Sequence, residues 1–360
     1  MANLMTVEKQ KIVNWFKTNY VELYNAMVLC DHTHSNGSKN PFHFEGTVWC
    51  HTEMVLDLAL NNNNHIFAAI LHDIGKVYVR YEKENGRVAF YDHENVSMVK
   101  SIDILKHAST EFEIDFLLTL QLIARHGTLW NKIPIEEKIK NLDLCYGHQP
   151  EFLKELIDFV KADAYGREIS PDFNDELVFI DNQFTHLENY IPYNKQQFRE
   201  KRKLDAVFLI GLSGSGKSTF VKNNSDFSNY SIISVDNFFY NKKMGYDSVD
   251  YKKNIKKAHD QSLKDLLNAV KNKENILVDM TNLTKEHRLN KLIKIPTTQY
   301  NHKAVVFLIG EKQITQNLNN RDHKKLEYNI ISNQVKNFEL PNFDEFDEIQ
   351  YIFENKTKIV

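Results

Sequence analysis

The pattern of apolar and polar positions changes character near residue 200. Upstream of it, Ile12, Trp15, Phe16, Tyr20, Leu23 and Met27 recur at helical spacing, which predicts one amphipathic helix over 7–29. Further helices are predicted from Glu45 (EGTVWCHTEMVLDLAL), over 66–76 (IFAAILHDIGK), from near His93, over 116–126 and over 152–166. Residues 31–46 have a loop composition, and Asn85-Gly86 marks a turn between two short extended pieces. This part reads as an all-α helical bundle. Residues 170–202 read as a connector, broken by Pro171 and Pro192 and ending in the polar run NKQQFREKRK. The expected division is a first domain over 1–195, a linker over 196–203 and a second domain over 204–360.

Downstream, β-like apolar runs alternate with helical stretches. The runs are LDAVFLI (204–210), YSIISVD (230–236), ENILVDMTN (274–282), HKAVVFLIG (302–310) and DEIQYIFE (347–354). Such alternation predicts an α/β domain with a mainly parallel sheet covered on both faces. Ligands of such sheets sit beyond the carboxyl ends of the strands. The first run leads straight into Gly211-Leu-Ser213-Gly214-Ser215-Gly216-Lys217-Ser218-Thr219, which is G-x-x-x-x-G-K-S. The glycines let successive backbone N–H groups turn onto phosphate oxygens, and the following helix presents its positive end. Lys217 can reach the terminal phosphates and Ser218 can ligate Mg²⁺, so an NTP, with ATP the expected one, is the implied cofactor. Asp236 and Asp279 are placed at strand ends. Each is a candidate for the Mg²⁺-linked carboxylate or for the group accepting the proton of an attacking hydroxyl.

Composition adds bounds. With 42% apolar residues and no apolar run near the ~20 residues of a membrane span, the chain reads as soluble. The start MANLMTVEKQK has no signal-peptide pattern, and Cys30, Cys50 and Cys145 share no close spacing, so a reducing cytoplasmic compartment is expected. The net charge of −3 hides an asymmetry: residues 1–200 hold 19 basic and 29 acidic side chains, residues 201–360 hold 26 and 19. The basic second part suits a polyanionic partner. Lys242, Lys243, Lys252, Lys253, Lys256 and Lys257 could track a nucleic-acid backbone, or could be no more than a solvated helix face.

In the first part, metal-capable side chains fall on or at the ends of separate predicted helices, in the order His51, His72-Asp73, His93, His126, Asp163. Imidazole with carboxylate suits one or two divalent transition metals (Mn, Ni, Co, Fe or Zn) and a hydrolytic site. Lys76, one turn after His72, is a candidate cation for phosphate oxygens.

On these residues, this part resembles the HD-superfamily phosphohydrolases, whose signature is H…HD…D. The resemblance implies that His51, His72, Asp73 and Asp163 hold one metal and that His93 and His126 serve a second. The segments EGTVWCHTEMV, LHDIGK, DHE and ADAYGR also resemble the HD domain attached to some bacterial tRNA nucleotidyltransferases. Metal-dependent phosphate-ester hydrolysis is implied. The second part, through GLSGSGKST, SVD, DMTNLTKEHR and FELP…FDEI, resembles the 5′-OH polynucleotide kinases. There Asp236 would be the general base, and Arg321 in a lid would clamp donor phosphates. Two positions depart from that family: Phe239 stands where an acceptor-binding arginine is common, and Lys325 where the lid often has a second arginine. Together the parts resemble the bacterial and phage HD-polynucleotide-kinase end-healing enzymes. That implies phosphorylation of 5′-OH ends and hydrolysis of 2′,3′-cyclic, 2′- or 3′-phosphate ends on RNA, with DNA as a second substrate and a separate ligase as partner. The alternatives are a small-molecule HD nucleotidase joined to a nucleoside or metabolite kinase, and an NTP-gated sensor.

Overall fold

The computed structural model describes residues 6–129, 133–188, 190, 201–242, 248–320, 328–353 and 356–359. The chain forms two compact units, Met1–Gln196 and Gln197–Val360.

In the first unit the opening apolar stripe makes two helices, α1 (Val7–Asn19) and α2 (Val21–Leu29), rather than the single helix expected. The chain breaks at Tyr20, where the Asn19 amide donates to Trp15 O and so competes with the backbone. Next come α3 (Val48–Leu58), capped by Thr47, and α4 (Asn63–Leu71), capped by Asn62. Every residue from His65 to Leu71 is buried, as in a central helix packed on all sides. The predicted 66–76 helix stops at Leu71. His72–Gly75 form a turn, and a short helix α5 (Lys76–Val79) follows.

A two-stranded hairpin, β1 (Tyr81–Glu82) with β2 (Val88–Ala89), forms from the two short extended pieces expected on either side of Asn85-Gly86. It is followed by α6 (His93–Ala108), α7 (Phe116–Arg125), α8 (Ile135–Tyr146), α9 (Pro150–Tyr165) and α10 (Asn174–Glu188). The last overturns the connector reading of 170–202: Ile180, Phe184 and Leu187, at helical spacing, are buried.

The second unit is built on a six-stranded sheet. Its elements are β3 (Leu204–Ile210), α11 (Lys217–Asn223), β4 (Tyr230–Ile233), α12 (Val235–Asn241), α13 (Ser248–Asn272), β5 (Asn275–Asp279), α14 (Lys285–Leu292), β6 (Tyr300–Phe307), α15 (Glu311–Asn319), α16 (Tyr328–Lys336), β7 (Glu348–Phe353) and β8 (Lys356–Ile359). The strand order is β4-β5-β3-β6-β7-β8, parallel except for β8, which runs antiparallel to β7 at the edge. Val207, Leu209, Leu277, Val305 and Phe307 form one core on the sheet, against which Phe220 and Val221 of α11 pack. The phosphate loop therefore lies at the carboxyl end of the central strand.

Buried Arg288 braces this unit. It donates to both Glu345 oxygens (2.7 and 3.0 Å) and to the carbonyls of Asn282, Leu283 and Glu339, tying α14 to the segment before β7. A guanidinium pair is tolerable in a core only when every donor is satisfied in this way. Among the described residues no helix is long and apolar enough to cross a membrane.

Candidate functional site

Helix ends build the cluster in the first unit. An α-helix leaves its last carbonyls unpaired, and imidazoles take them up. His72, after α4, sets Nδ1 2.9 Å from Ala69 O, and His126, after α7, sets Nδ1 2.7 Å from Ile123 O. His93, at the start of α6, sets Nδ1 2.9 Å from Phe90 O in the loop before that helix. His51, on α3, has Nδ1 2.8 Å from Gly166 O. A carbonyl only accepts, so Nδ1 carries the proton in each neutral ring and Nε2 is left as a lone pair.

These lone pairs converge. His51 Nε2 and His72 Nε2 are 3.2 Å apart, and so are His93 Nε2 and His126 Nε2. Two acceptors cannot bond each other. That spacing is what two nitrogens about 2.1 Å from one shared ion present.

Asp163, on α9, completes the first pair, with Oδ1 2.9 Å from His51 Nε2 and 3.7 Å from His72 Nε2. Asp73 stands between the pairs. Its Oδ2 lies 3.5–3.6 Å from His72 and His51, and its Oδ1 lies 3.1 and 3.6 Å from His93 and His126. Both Asp73 oxygens are buried; Oδ2 pairs with the Lys76 ammonium at 2.7 Å, and Oδ1 faces the Nε2 atoms of His93 and His126. A buried carboxylate turned toward two pairs of imidazole nitrogens is a mixed N/O donor set that fits a divalent-metal pocket with two positions. Among the described residues, His51–His72–Asp163 and Asp73–His93–His126 are two groups able to hold an ion.

Electrostatics agree with that reading. Burial alone would raise the Asp73 carboxyl, but Lys76 and the imidazoles hold it well below its ordinary range. Arg167 and His51 do the same for Asp163 against its burial. Burial holds His72 down at about 3, so its ring is neutral at neutral pH. Burial also disfavours charge on His126, yet Asp73 outweighs it and lifts the ring to about 9. Without metal, a proton thus takes the cation's place there.

The sign of the pH dependence follows. The folded His126 value lies above its unfolded 6.5, so its stabilising contribution is complete below about 6.5 and is lost as pH rises through about 9. Chelator-treated protein is expected to lose thermal stability across that window, and metal-loaded protein to keep it. Melting temperatures of both forms at several pH values measure this.

A third metal-capable group, His32, His43 and Glu45, lies behind His51. His32 Nδ1 donates to Gly46 O, and the Lys76 ammonium donates to His32 Nε2 at 3.2 Å, so a lysine already supplies the cation here. Glu45 accepts from His43 Nδ1 (2.8 Å) and from Glu168 N (3.0 Å) and lies 3.5 Å from His51 Nδ1. Sequence reasoning singled out none of these three, because they act through His51 and Lys76 rather than through a motif of their own.

Lys76 itself is not in the helix that precedes His72. It is buried and pairs with Asp73 Oδ2 at 2.7 Å, an i,i+3 contact across the turn. It is placed to orient Asp73. Arg167, 3.2 Å from Asp163 Oδ1, is the cation that sequence reasoning passed over; its spacing of four residues on from Asp163 was the available signal. Gly75 was missed as well. A Cβ there would lie 2.2 Å from His93 O and 2.7 Å from Ser97 N, so only glycine lets the Asp73 turn press against α6.

In the second unit the loop takes the turns its glycines permit: φ is +156° at Gly211, +90° at Gly214 and +93° at Gly216. The Lys217 ammonium donates to Gly211 O (2.7 Å) and Leu212 O (2.8 Å). Ser218 Oγ is 3.5 Å from Asp279 Oδ2, so the hydroxyl and the end of β5 adjoin where Mg²⁺ would sit. Asp236 departs from expectation in detail. It is the second residue of α12 rather than the end of β4, its N–H capped by Ser234 Oγ, and it is exposed.

Phe239 is fully buried against Phe238 and Ala258, so that position cannot bind an acceptor phosphate. Arg321, Lys325 and Lys243 lie outside the described residues. The helices α15 and α16 are tied to the loop: Asn317 donates to Gly214 O (2.8 Å), and Gln334 accepts from Ser213 N (2.8 Å) and donates to its hydroxyl (3.0 Å). Neither was visible in sequence, since an isolated amide carries no motif. Ser215, Thr219 and Gly216 complete the loop, and Gly214, Gly216, Thr219, Asn223, Asn317 and Asn320 line a cavity of about 720 Å³ beside it.

Two family models match the chain: an HD domain over residues 43–166 and an AAA domain over residues 207–341. No curated protein matches it. Among solved structures, a gluconokinase from Sinorhizobium meliloti 1021 is similar at 14% identity and a TM-score of 0.29, over 42% of this chain and 85% of that one. The chain thus carries an HD domain followed by a P-loop kinase-like domain.

Proposed function

We propose that the two domains repair opposite ends of a broken nucleic-acid strand. The HD domain would hydrolyse 2′,3′-cyclic, 2′- or 3′-phosphate ends, and the kinase-like domain would phosphorylate 5′-OH ends from ATP. The observation that carries the reading is the pairing, in one chain, of a two-position donor cluster divided by Asp73 with a phosphate loop whose Ser218 adjoins Asp279. Neither half alone would favour a strand end over a small phosphate ester.

Divalent ions held by His51, His72, Asp163, Asp73, His93 and His126 would supply Lewis acidity and lower the pKa of water. The protein's own work is positional. Carbonyls lock each imidazole, Lys76 and His32 fix Asp73, and Arg167 is at hand for the non-bridging oxygens of the substrate. In the second domain, backbone amides of Gly211–Thr219 would cradle the donor phosphates, Lys217 would turn onto them, and Ser218 with Asp279 would hold Mg²⁺. The donor nucleoside would take the cavity of about 720 Å³ that Asn317 and Asn320 line beside the loop. Asp236 accepts the 5′-hydroxyl proton, and Arg321, with Lys325, neutralises the phosphoryl group in transfer. The strand would be RNA, with DNA second, sealing would fall to a separate ligase, and three free cysteines suit a reducing cytoplasm.

The test is purified protein with ATP-Mg²⁺, added Mn²⁺ or Ni²⁺, and an oligonucleotide carrying 5′-OH and 2′,3′-cyclic phosphate ends. Labelling at the 5′ end and loss of the cyclic phosphate are expected. Transfer to free nucleosides with no transfer to the oligonucleotide would replace this reading with the small-molecule one.

A further inference from the structure

Two exposed phenylalanines stand together in the first unit. Phe42 and Phe173 are 37% and 42% exposed, with ring centroids 5.3 Å apart in edge-to-face contact. The segments that carry them are the same two that hold His51 in place. Gly166, at the head of one, accepts from His51 Nδ1. On the other, the ring of His43, next in sequence to Phe42, meets the ring of His51 at 5.0 Å, and Glu45 lies 3.5 Å from His51 Nδ1.

The segments are stitched together as well. Phe44 N donates to Glu168 O (2.8 Å), Ser170 N to Pro41 O (2.9 Å) and Glu168 N to Glu45 (3.0 Å). The aromatic pair is therefore held in register with the donor cluster. A cation accompanies it: Lys39 is exposed, donates to Phe44 O and lies 4.3 Å over the Phe44 ring.

Rigid exposed rings beside a basic side chain are how proteins seat an unpaired base while a charge follows its backbone. Scattered single aromatics on a surface need no such account, but a packed pair tied to the segments that hold a metal-site histidine does.

We infer that Phe42 and Phe173 form the seat of the 3′-terminal nucleobase, with Lys39 meeting the adjoining backbone phosphate. The cluster would thereby favour phosphates attached to a nucleoside over simple phosphate esters. This rests on the end-healing reading, whose substrate it specifies.

The test compares full-length wild type with Phe42→Ala, Phe173→Ala and the conservative Phe42→Trp, all loaded with Mn²⁺. Substrates are a single-stranded oligonucleotide with a 3′-phosphate and p-nitrophenyl phosphate, which has no base. The expected result is that the ratio of kcat/KM on the oligonucleotide to that on p-nitrophenyl phosphate falls roughly 5- to 150-fold in each alanine variant, through KM, and recovers in Phe42→Trp. A binding readout needs no turnover: 2-aminopurine at the 3′ end should be quenched by metal-free wild type and not by the alanine variants. An unchanged ratio together with unchanged quenching would overturn the inference while leaving the end-healing reading intact. Wild type that hydrolyses p-nitrophenyl phosphate but acts on no oligonucleotide end would overturn both.

Discussion

Asp73→Ala is expected to abolish phosphate-ester hydrolysis while leaving ATP-dependent phosphorylation in place. This carboxylate faces both imidazole pairs, with Oδ2 toward His51 and His72 and Oδ1 toward His93 and His126. Its removal would take a candidate ligand from each group and the negative charge that would attract cations to either. Metal assistance is worth several kcal/mol of transition-state stabilisation, so a loss of roughly 10³-fold or more is expected. Bound metal should fall at the same time, which elemental analysis of the purified variant would measure. Asp73→Asn keeps the shape and loses the charge, separating a ligand effect from a packing effect. Retention of hydrolysis and full metal content in Asp73→Ala would refute Asp73 as a donor to the cluster.

Asp236→Ala is expected to do the reverse. Removing a general base from phosphoryl or acyl transfer costs typically 10²–10⁴-fold in rate, so 5′ phosphorylation should fall by roughly that factor. The KM for ATP should change little, because the donor phosphates are proposed to rest on the Gly211–Thr219 loop, whereas Asp236 lies on α12. Hydrolysis by the HD domain should be untouched. A folded Asp236→Ala or Asp73→Ala protein that had lost both activities would rule out two independent sites. Asp236 is exposed, whereas Phe239, three residues on, is buried and closed to an acceptor.

The parts of the molecule that could be read from sequence are those whose chemistry is local. The phosphate loop is nine consecutive residues whose glycines set the backbone and whose lysine and serine follow at fixed offsets. The alternation of apolar runs with helical stretches was enough for a mainly parallel sheet. Breaks and edges were harder to see. The interruption at Tyr20, the stop at Leu71 and the antiparallel β8 each turn on one side chain or one neighbour, and α10 was hidden by the prolines and polar run around it.

The metal-capable residues were recognisable by type and order, but their arrangement was not. His51 and Asp163 are 112 positions apart, yet their atoms meet at 2.9 Å because α3 and α9 pack against each other. The division of Asp73 between two imidazole pairs, the engagement of Lys76 by Asp73 and His32, and the support of His51 by Glu45 all depend on which helix ends come together. Sequence alone determined the inventory of donors and the phosphate loop, because side-chain type and short-range backbone geometry travel with the chain. Only tertiary structure decided which lone pairs face one another, since that is set by the burial of α4 and the helices packed around it, and no residue encodes its distant partner.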